Sequence, residues 1–152
     1  MAGSGIDSVK GSLSLPTVKA LAYHLKSAVP SATSSNRKYW SCSYNKKPTY
    51  FCLVWVQGVI VNVDTDEEEV VIRDESGKMR LVEAKINTAT IDDLYVLKPG
   101  QYVMAVGELI SNDSLPVLLT HKLKVMESGR EVLAALWPLE VQHQLKYAPV
   151  KY

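Results

Sequence analysis

Histidine and cysteine are the side chains whose ordinary pKa values put them nearest to acid-base or nucleophilic chemistry at neutral pH. The chain holds three histidines and two cysteines. His24, His121 and His143 fall on separate stretches, and none stands beside a serine, cysteine or carboxylate pair that reads as a nucleophile with its base. They read as surface or partly buried histidines. Cys42 and Cys52 have no second cysteine pair and no clustered histidine, so the spacing indicates neither a disulfide framework nor a zinc site. Two reduced thiols are expected, with Cys52 buried in a strand. Ser76-Gly77-Lys78 superficially resembles a phosphate loop, but it lacks the preceding glycine spacing and joins two strands, which makes it a hairpin turn. The acidic run Asp64 to Glu69 reads as a solvated turn. No catalytic set, metal site or cofactor site is expected, and binding is the function class left.

Binding to nucleic acid would need aromatic faces beside a basic groove. The formal net charge is only +1, so no global field draws the chain to phosphate, and a local patch would have to do so. Arg37, Lys38, Lys46 and Lys47 stand near Tyr39, Trp40 and Tyr44, and this is the best such signal. Solvated loop charges are its plainer reading. Trp55, inside a strand pattern, has three readings: it stacks a base, lines a partner interface, or covers the core.

These residues must be positioned by a small fold. Hydrophobic residues make up 47% of the 152-residue chain and charged residues 22%, the composition of one globular domain. The longest apolar run is far short of the roughly 20 residues that span a bilayer, and no membrane partner is expected. Residues 1–14 are Gly- and Ser-rich and read as a flexible leader. Leu15, Val18, Leu21, Ala22 and Leu25 recur at helical spacing and predict a helix over Pro16–Ala28, although Val18, Ala20 and Ala22 also alternate as an edge strand would. Residues 29–48 are dominated by Ser, Asn, Lys and Thr and read as a long loop, either pinned by Tyr39 and Trp40 or a mobile insertion.

The informative stretch begins at Leu53. Leu53–Val63 is apolar on both alternating faces, and Gly58 in its middle permits the coiling that lets one strand serve two sheets. Val70–Arg73 and Met79–Val82 flank a turn in which Gly77 supplies a special φ and Asp74 a local side-chain bond. Lys85–Leu97 gives a loop with a short helical element. Tyr102–Ile110, with Gly107 inside it, and Val117–Val125 complete five strands. A long, glycine-broken first strand and a connecting element before the fourth are the plan of the oligonucleotide/oligosaccharide-binding (OB) barrel, with another five-stranded barrel as the alternative. The fold class is therefore mainly β, a single five-stranded OB barrel over residues 15–127 with a short N-terminal helix and a C-terminal helix over 128–147.

In that helix Val132, Leu133, Leu136, Leu139 and Leu145 lie at roughly helical spacing, and Trp137 and Val141 widen the stripe. Ser128 and Glu131 have the spacing of a capping box. Pro138 predicts a kink or a restart at Trp137-Pro138. A stripe this wide must be buried, against a partner's helix or back on its own barrel, and its tryptophan favours the partner.

Val54-Trp55-Val56-Gln57-Gly58, Ile72-Arg73-Asp74-Glu75-Ser76-Gly77, Leu97-Lys98-Pro99-Gly100-Gln101-Tyr102-Val103-Met104 and Leu136-Trp137-Pro138-Leu139-Glu140-Val141 occur in this order. Together with Val18-Lys19-Ala20-Leu21-Ala22 they make the chain resemble the RecQ-mediated genome instability protein 2 family from about Pro16 to Leu145. The resemblance implies a non-catalytic OB subunit in the nucleus that pairs with the C-terminal OB domain of the larger genome instability subunit. Through it the chain would join a Bloom-type RecQ helicase and topoisomerase III alpha, in a complex that dissolves double Holliday junctions. Carried over by motif, Trp137 would lie at or near the partner surface, Leu136, Leu139 and Val141 would supply apolar packing, and Lys124 would match a partner-facing lysine. The chain departs from the family pattern at Gln101, where relatives carry lysine, and at Pro138. A single-stranded DNA-binding OB protein is the alternative function.

Overall fold

A computed structural model describes residues 17–34, 37–44, 47–84, 96–126 and 128–147. The elements run β1 (Val18–Lys19), α1 (Ala22–Ser27), β2 (Val29–Ser34), β3 (Arg37–Tyr44), β4 (Lys47–Phe51), β5 (Leu53–Asp64), β6 (Glu69–Asp74), β7 (Gly77–Val82), β8 (Tyr102–Ser111), β9 (Val117–Val125) and α2 (Arg130–Tyr147).

The strand pairings close on themselves. β5 pairs with β6, β6 with β7, β7 with β9, β9 with β8, and β8 again with β5, which makes the expected five-stranded barrel. β5 belongs to both halves: Leu53–Val59 pair with β8, whereas Val59–Asp64 pair with β6. The changeover falls beside Gly58, where an added Cβ would sit 2.6 Å from the Arg73 carbonyl oxygen. Only a glycine lets the two backbones cross this closely. Closure is completed by the parallel pairing of β7 with β9, Arg80 opposite Val117 through Val82 opposite Leu119. The interior is filled by alternate residues: Val54, Val56, Ile60, Val70, Ile72, Met79, Leu81, Val103, Ala105, Leu109 and Leu118, all buried. A register shift beside Gly107 skips His121, so the inward series of β9 passes from Leu118 and Thr120 to Leu123 and Val125, and Lys122 and Lys124 point outward.

The β6–β7 turn has the expected chemistry. Asp74 Oδ1 accepts from the Ser76 and Gly77 amides at 2.7 and 3.1 Å. Its Oδ2 accepts from the Ala22 amide at 2.7 Å, which caps α1 and ties it to the barrel. Residues 65–68 form the turn expected of the acidic run. Cys42, in β3, and Cys52, at the bend between β4 and β5 and not inside a strand, are both buried and are not joined in a disulfide. The connecting element expected at 85–97, apart from its last two residues, and the leader expected at 1–14 lie outside the described residues.

Three expectations are corrected. The helix predicted over Pro16–Ala28 is a strand followed by a helix: β1 pairs in parallel with β5, and α1 is six residues long. Both periodicities were present in the sequence, and the edge of β5 supplied partners for the first half. The loop predicted over 29–48 is mostly strand, because β2, β3 and β4 form a three-stranded antiparallel sheet. Trp40 is its anchor, 1% exposed, with its Nε1 donating to the Leu109 carbonyl at 2.7 Å. Backbone pairing and one buried indole outweigh the polarity of the surrounding residues. Finally, α2 runs unbroken through Pro138 from Arg130, not from a Ser128 cap. Gly129, with φ +69°, precedes it and its carbonyl accepts from the Leu133 amide at 2.9 Å, so glycine stands at the cap position.

A candidate docking face on the C-terminal helix

Opposite residues of an antiparallel pair share a face. Trp55, Val106 and Lys122 therefore form one row on the outside of β5, β8 and β9, and Gln57, Met104 and Lys124 form the next. α2 lies over the β5 end of these rows. There Gln57 is 3% exposed although it is on the barrel's outside, and its Oε1 accepts from the Tyr102 hydroxyl at 2.8 Å. Burial, with the charges of Asp74 and Glu140 adding to it, pushes the Tyr102 phenol up to about 12, so it stays a donor. Met104 and Val106 are half-buried, and Lys122 and Lys124 are exposed.

The helix is fastened at both ends. Arg130 Nη1 donates to the Gly100 carbonyl at 2.6 Å. At the other end Gln144 Oε1 accepts from the Lys19 amide at 2.6 Å, Gln144 Nε2 donates to the Lys19 carbonyl at 3.4 Å, and Lys19 Nζ pairs with Glu140 at 3.2 Å. The same ammonium lies 5.1 Å from the centre of the Trp55 ring. Trp55 in turn meets Trp137, with ring centroids 5.9 Å apart and planes at 36°. Anchors on both sides of Pro138 hold the two halves of α2 as one rod, which is why no restart occurs there. A cavity of about 240 Å³ remains where Ala134, Trp137 and Pro138 face Leu21, Val59 and Tyr102.

The apolar residues of α2 therefore divide between two faces. Trp137 and Val141 are 2% and 0% exposed and belong to the protein's own core; for them the helix has folded back on the barrel. Val132, Leu136 and Leu139 remain 61%, 44% and 59% exposed, and Leu133 is half-buried. The side chain of Leu145 lies outside the described residues. Lys124 is on the same outer barrel face as Trp55, two strands away. Trp55 is half-buried, its ring already engaged by Lys19 and Trp137.

Sequence reasoning missed Lys19, Glu140 and Gln144. A lysine, a glutamate and a glutamine on surface positions carry no periodic signal, and the partners are more than 120 positions apart in the chain. Of the two readings of the 29–48 stretch, pinning by its aromatics is the one that holds for Trp40, which is buried; what sequence reasoning missed is that Lys38 Nζ sits 5.0 Å over its ring. His121 Nε2 lies 2.6 Å from Glu108 Oε2 on the surface, and His24 is buried. Among the described residues no group of three or more potential metal ligands occurs, and no helix is long and apolar enough to cross a membrane.

A closed five-stranded barrel whose first strand serves both halves, with a helix laid over its outer face, defines an OB-fold protein. A chain of a replication protein A heterotrimer bound to single-stranded DNA is similar over 86% of this chain and 97% of its own, with 12% identity and a TM-score of 0.54. A chain of the S. pombe Stn1–Ten1 complex matches over 70% of this chain and 78% of its own, with 15% identity and a TM-score of 0.49. The sequence profile of the RecQ-mediated genome instability protein 2 family matches residues 16–145, and the chain belongs to that family. It is thus an OB-fold protein of genome maintenance. No curated protein matches the chain.

Proposed function

We propose that the chain is a non-catalytic subunit that pairs with the larger RecQ-mediated genome instability subunit, through that subunit's C-terminal OB domain. Through it the chain joins a Bloom-type RecQ helicase and topoisomerase III alpha in the nucleus and supports double Holliday junction dissolution. The observation that carries this reading is the exposure of Val132, Leu136 and Leu139 on a helix whose opposite face is already buried. Their spacings of four and three residues form the seam that a second helix packs against. Large aliphatic side chains on one face have no use in the free chain, since they add little to its core and expose apolar area. Leu133 and Lys124 extend the contact, whereas Trp137 and Val141 serve it from beneath by holding the helix. Membership of the family supports the choice of partner, and the structurally similar replication protein A chain is itself one subunit of a heterotrimer.

Single-stranded DNA is the weaker reading although that neighbour was solved bound to it. The tryptophans that sequence reasoning offered for stacking are occupied: Trp40 is buried, and Trp55 packs against Trp137 under the Lys19 ammonium.

Calorimetric titration of the chain with the C-terminal OB domain of the larger subunit tests the proposal. Two central interface positions at about 2 kcal/mol each make the Leu136→Asp/Leu139→Asp variant bind roughly a thousandfold more weakly, with the free chain's thermal midpoint unchanged. Wild-type affinity in that variant, or no binding by the wild type, would overturn the reading.

A further inference from the structure

The outer edge of β1 is covered by a side chain, and this bears on how the docking face is held. In the parallel pair of β1 with β5, the Ala20 amide donates to the Trp55 carbonyl at 3.0 Å, so Ala20 faces the barrel and the preceding Lys19 peptide groups face away from it. A strand edge left like this exposes a donor and an acceptor for any passing strand. Here the carboxamide of Gln144 supplies the complementary acceptor and donor, at 2.6 and 3.4 Å, in the manner of one residue of a neighbouring strand. One turn earlier in α2, Glu140 pairs with the Lys19 ammonium. The same ammonium lies over Trp55, the ring against which Trp137 packs. A single residue of β1 thus contacts the C-terminal half of α2 through its amide, its carbonyl and its side chain.

We infer that Gln144 is a positioning residue: by clamping the Lys19 backbone it fixes the pose of α2 on the barrel, and with it the face formed by Val132, Leu136 and Leu139. The inference rests on the partner reading above for its functional consequence, and on the free chain alone for the clamp. Pro138 gives such a device a role. Proline removes one hydrogen bond from the helix and clashes with the preceding turn, so the ladder is weakest there and contacts beyond it keep the two halves in line. A partner helix that must engage Leu139 as well as Val132 requires both sides of Pro138 to stay in line.

Hydrogen–deuterium exchange on the free chain tests the clamp. Gln144→Ala removes both hydrogen bonds to Lys19. Each is worth between about twofold and tenfold in a local equilibrium, so exchange at the Lys19 amide and at residues 139–147 is expected to quicken about tenfold, with the global unfolding midpoint unmoved. Gln144→Glu keeps the 2.6 Å acceptor but loses the donor to the Lys19 carbonyl, and restores part of the protection. Exchange in Gln144→Ala equal to wild type would overturn the clamp. In the titration with the larger subunit's OB domain, Gln144→Ala is expected to bind about tenfold more weakly although its own side chain is not on the Val132–Leu136–Leu139 face. Quickened exchange with unchanged affinity would overturn the positioning role. Failure of wild-type binding would instead overturn the partner reading, in a different experiment from the one that judges the clamp.

Discussion

Replacing Trp137 by alanine separates a residue that holds the helix from one that meets a partner. The side chain is 2% exposed, and burial of an indole at about 25 cal/mol per Å2 over roughly 200 Å2 stabilises by about 5 kcal/mol. The contact with Trp55, at 5.9 Å between centroids, adds about 1 kcal/mol. Against this, Trp137 Nε1 is buried with no hydrogen-bond partner among the described residues, and removing a buried unsatisfied donor recovers about 1–3 kcal/mol. The balance is a loss of about 3–5 kcal/mol. For a chain of this size each 1 kcal/mol moves the melting midpoint by about 2–4 °C, which predicts a drop of roughly 10 °C in a thermal melt of the free chain. If Trp137 were instead an exposed anchor waiting for a partner, its truncation would change the free chain's stability by no more than about 0.5 kcal/mol. A loss below about 1 kcal/mol in urea denaturation would therefore refute the placement of Trp137 in the core.

Pro138→Ala is expected to stabilise the free chain by about 2 kcal/mol. Proline costs a helix interior about 3 kcal/mol relative to alanine, and the loss of ring packing beside the cavity returns about 1 kcal/mol of that; a lowered melting midpoint would contradict the unbroken helix. Acid should weaken the fold through His24. Burial, opposed by the charge of Asp74, lowers its pKa from the ordinary 6.5, and its Nδ1 accepts from the Leu21 amide at 3.2 Å. Since the unfolded chain takes up the proton first, this contribution is intact above about pH 6.5 and is lost progressively as pH falls from there toward the lowered folded value. The urea midpoint should fall between pH 7.5 and pH 5 by more in the wild type than in His24→Gln, and equal slopes would exclude the histidine.

The barrel was legible because its strands advertise themselves locally. Leu53–Val63, Val70–Arg73, Met79–Val82, Tyr102–Ile110 and Val117–Val125 each carry the apolar alternation or runs of strands, and Gly58 and Asp74 stand where a bend and a turn need them. The β2–β3–β4 sheet was not legible. Its strands are rich in serine, threonine and lysine, and what orders them is pairing between segments and the burial of Trp40 under Leu109, a partner 69 positions away. The stretch from Val18 to Ser27 carried two periods at once, and only the free edge of β5 and the Asp74 carboxylate chose strand for one half and helix for the other.

For the candidate site, the sequence by itself determined that a helix over the last twenty or so described residues carries more apolar surface than a solvated helix can leave bare. Periodicity states that such a face is buried; it does not state against what. That choice belongs to tertiary structure, because α2 has apolar residues on two sides and the shape of the barrel admits one of them. Trp55, Gln57 and Tyr102 form the surface beside Trp137 and Val141 joins the same core, while Lys19 and Gln144, 125 positions apart, lock the rotation of the helix. Val132, Leu136 and Leu139 are left outward by that rotation, a consequence of long-range packing that no local pattern encodes.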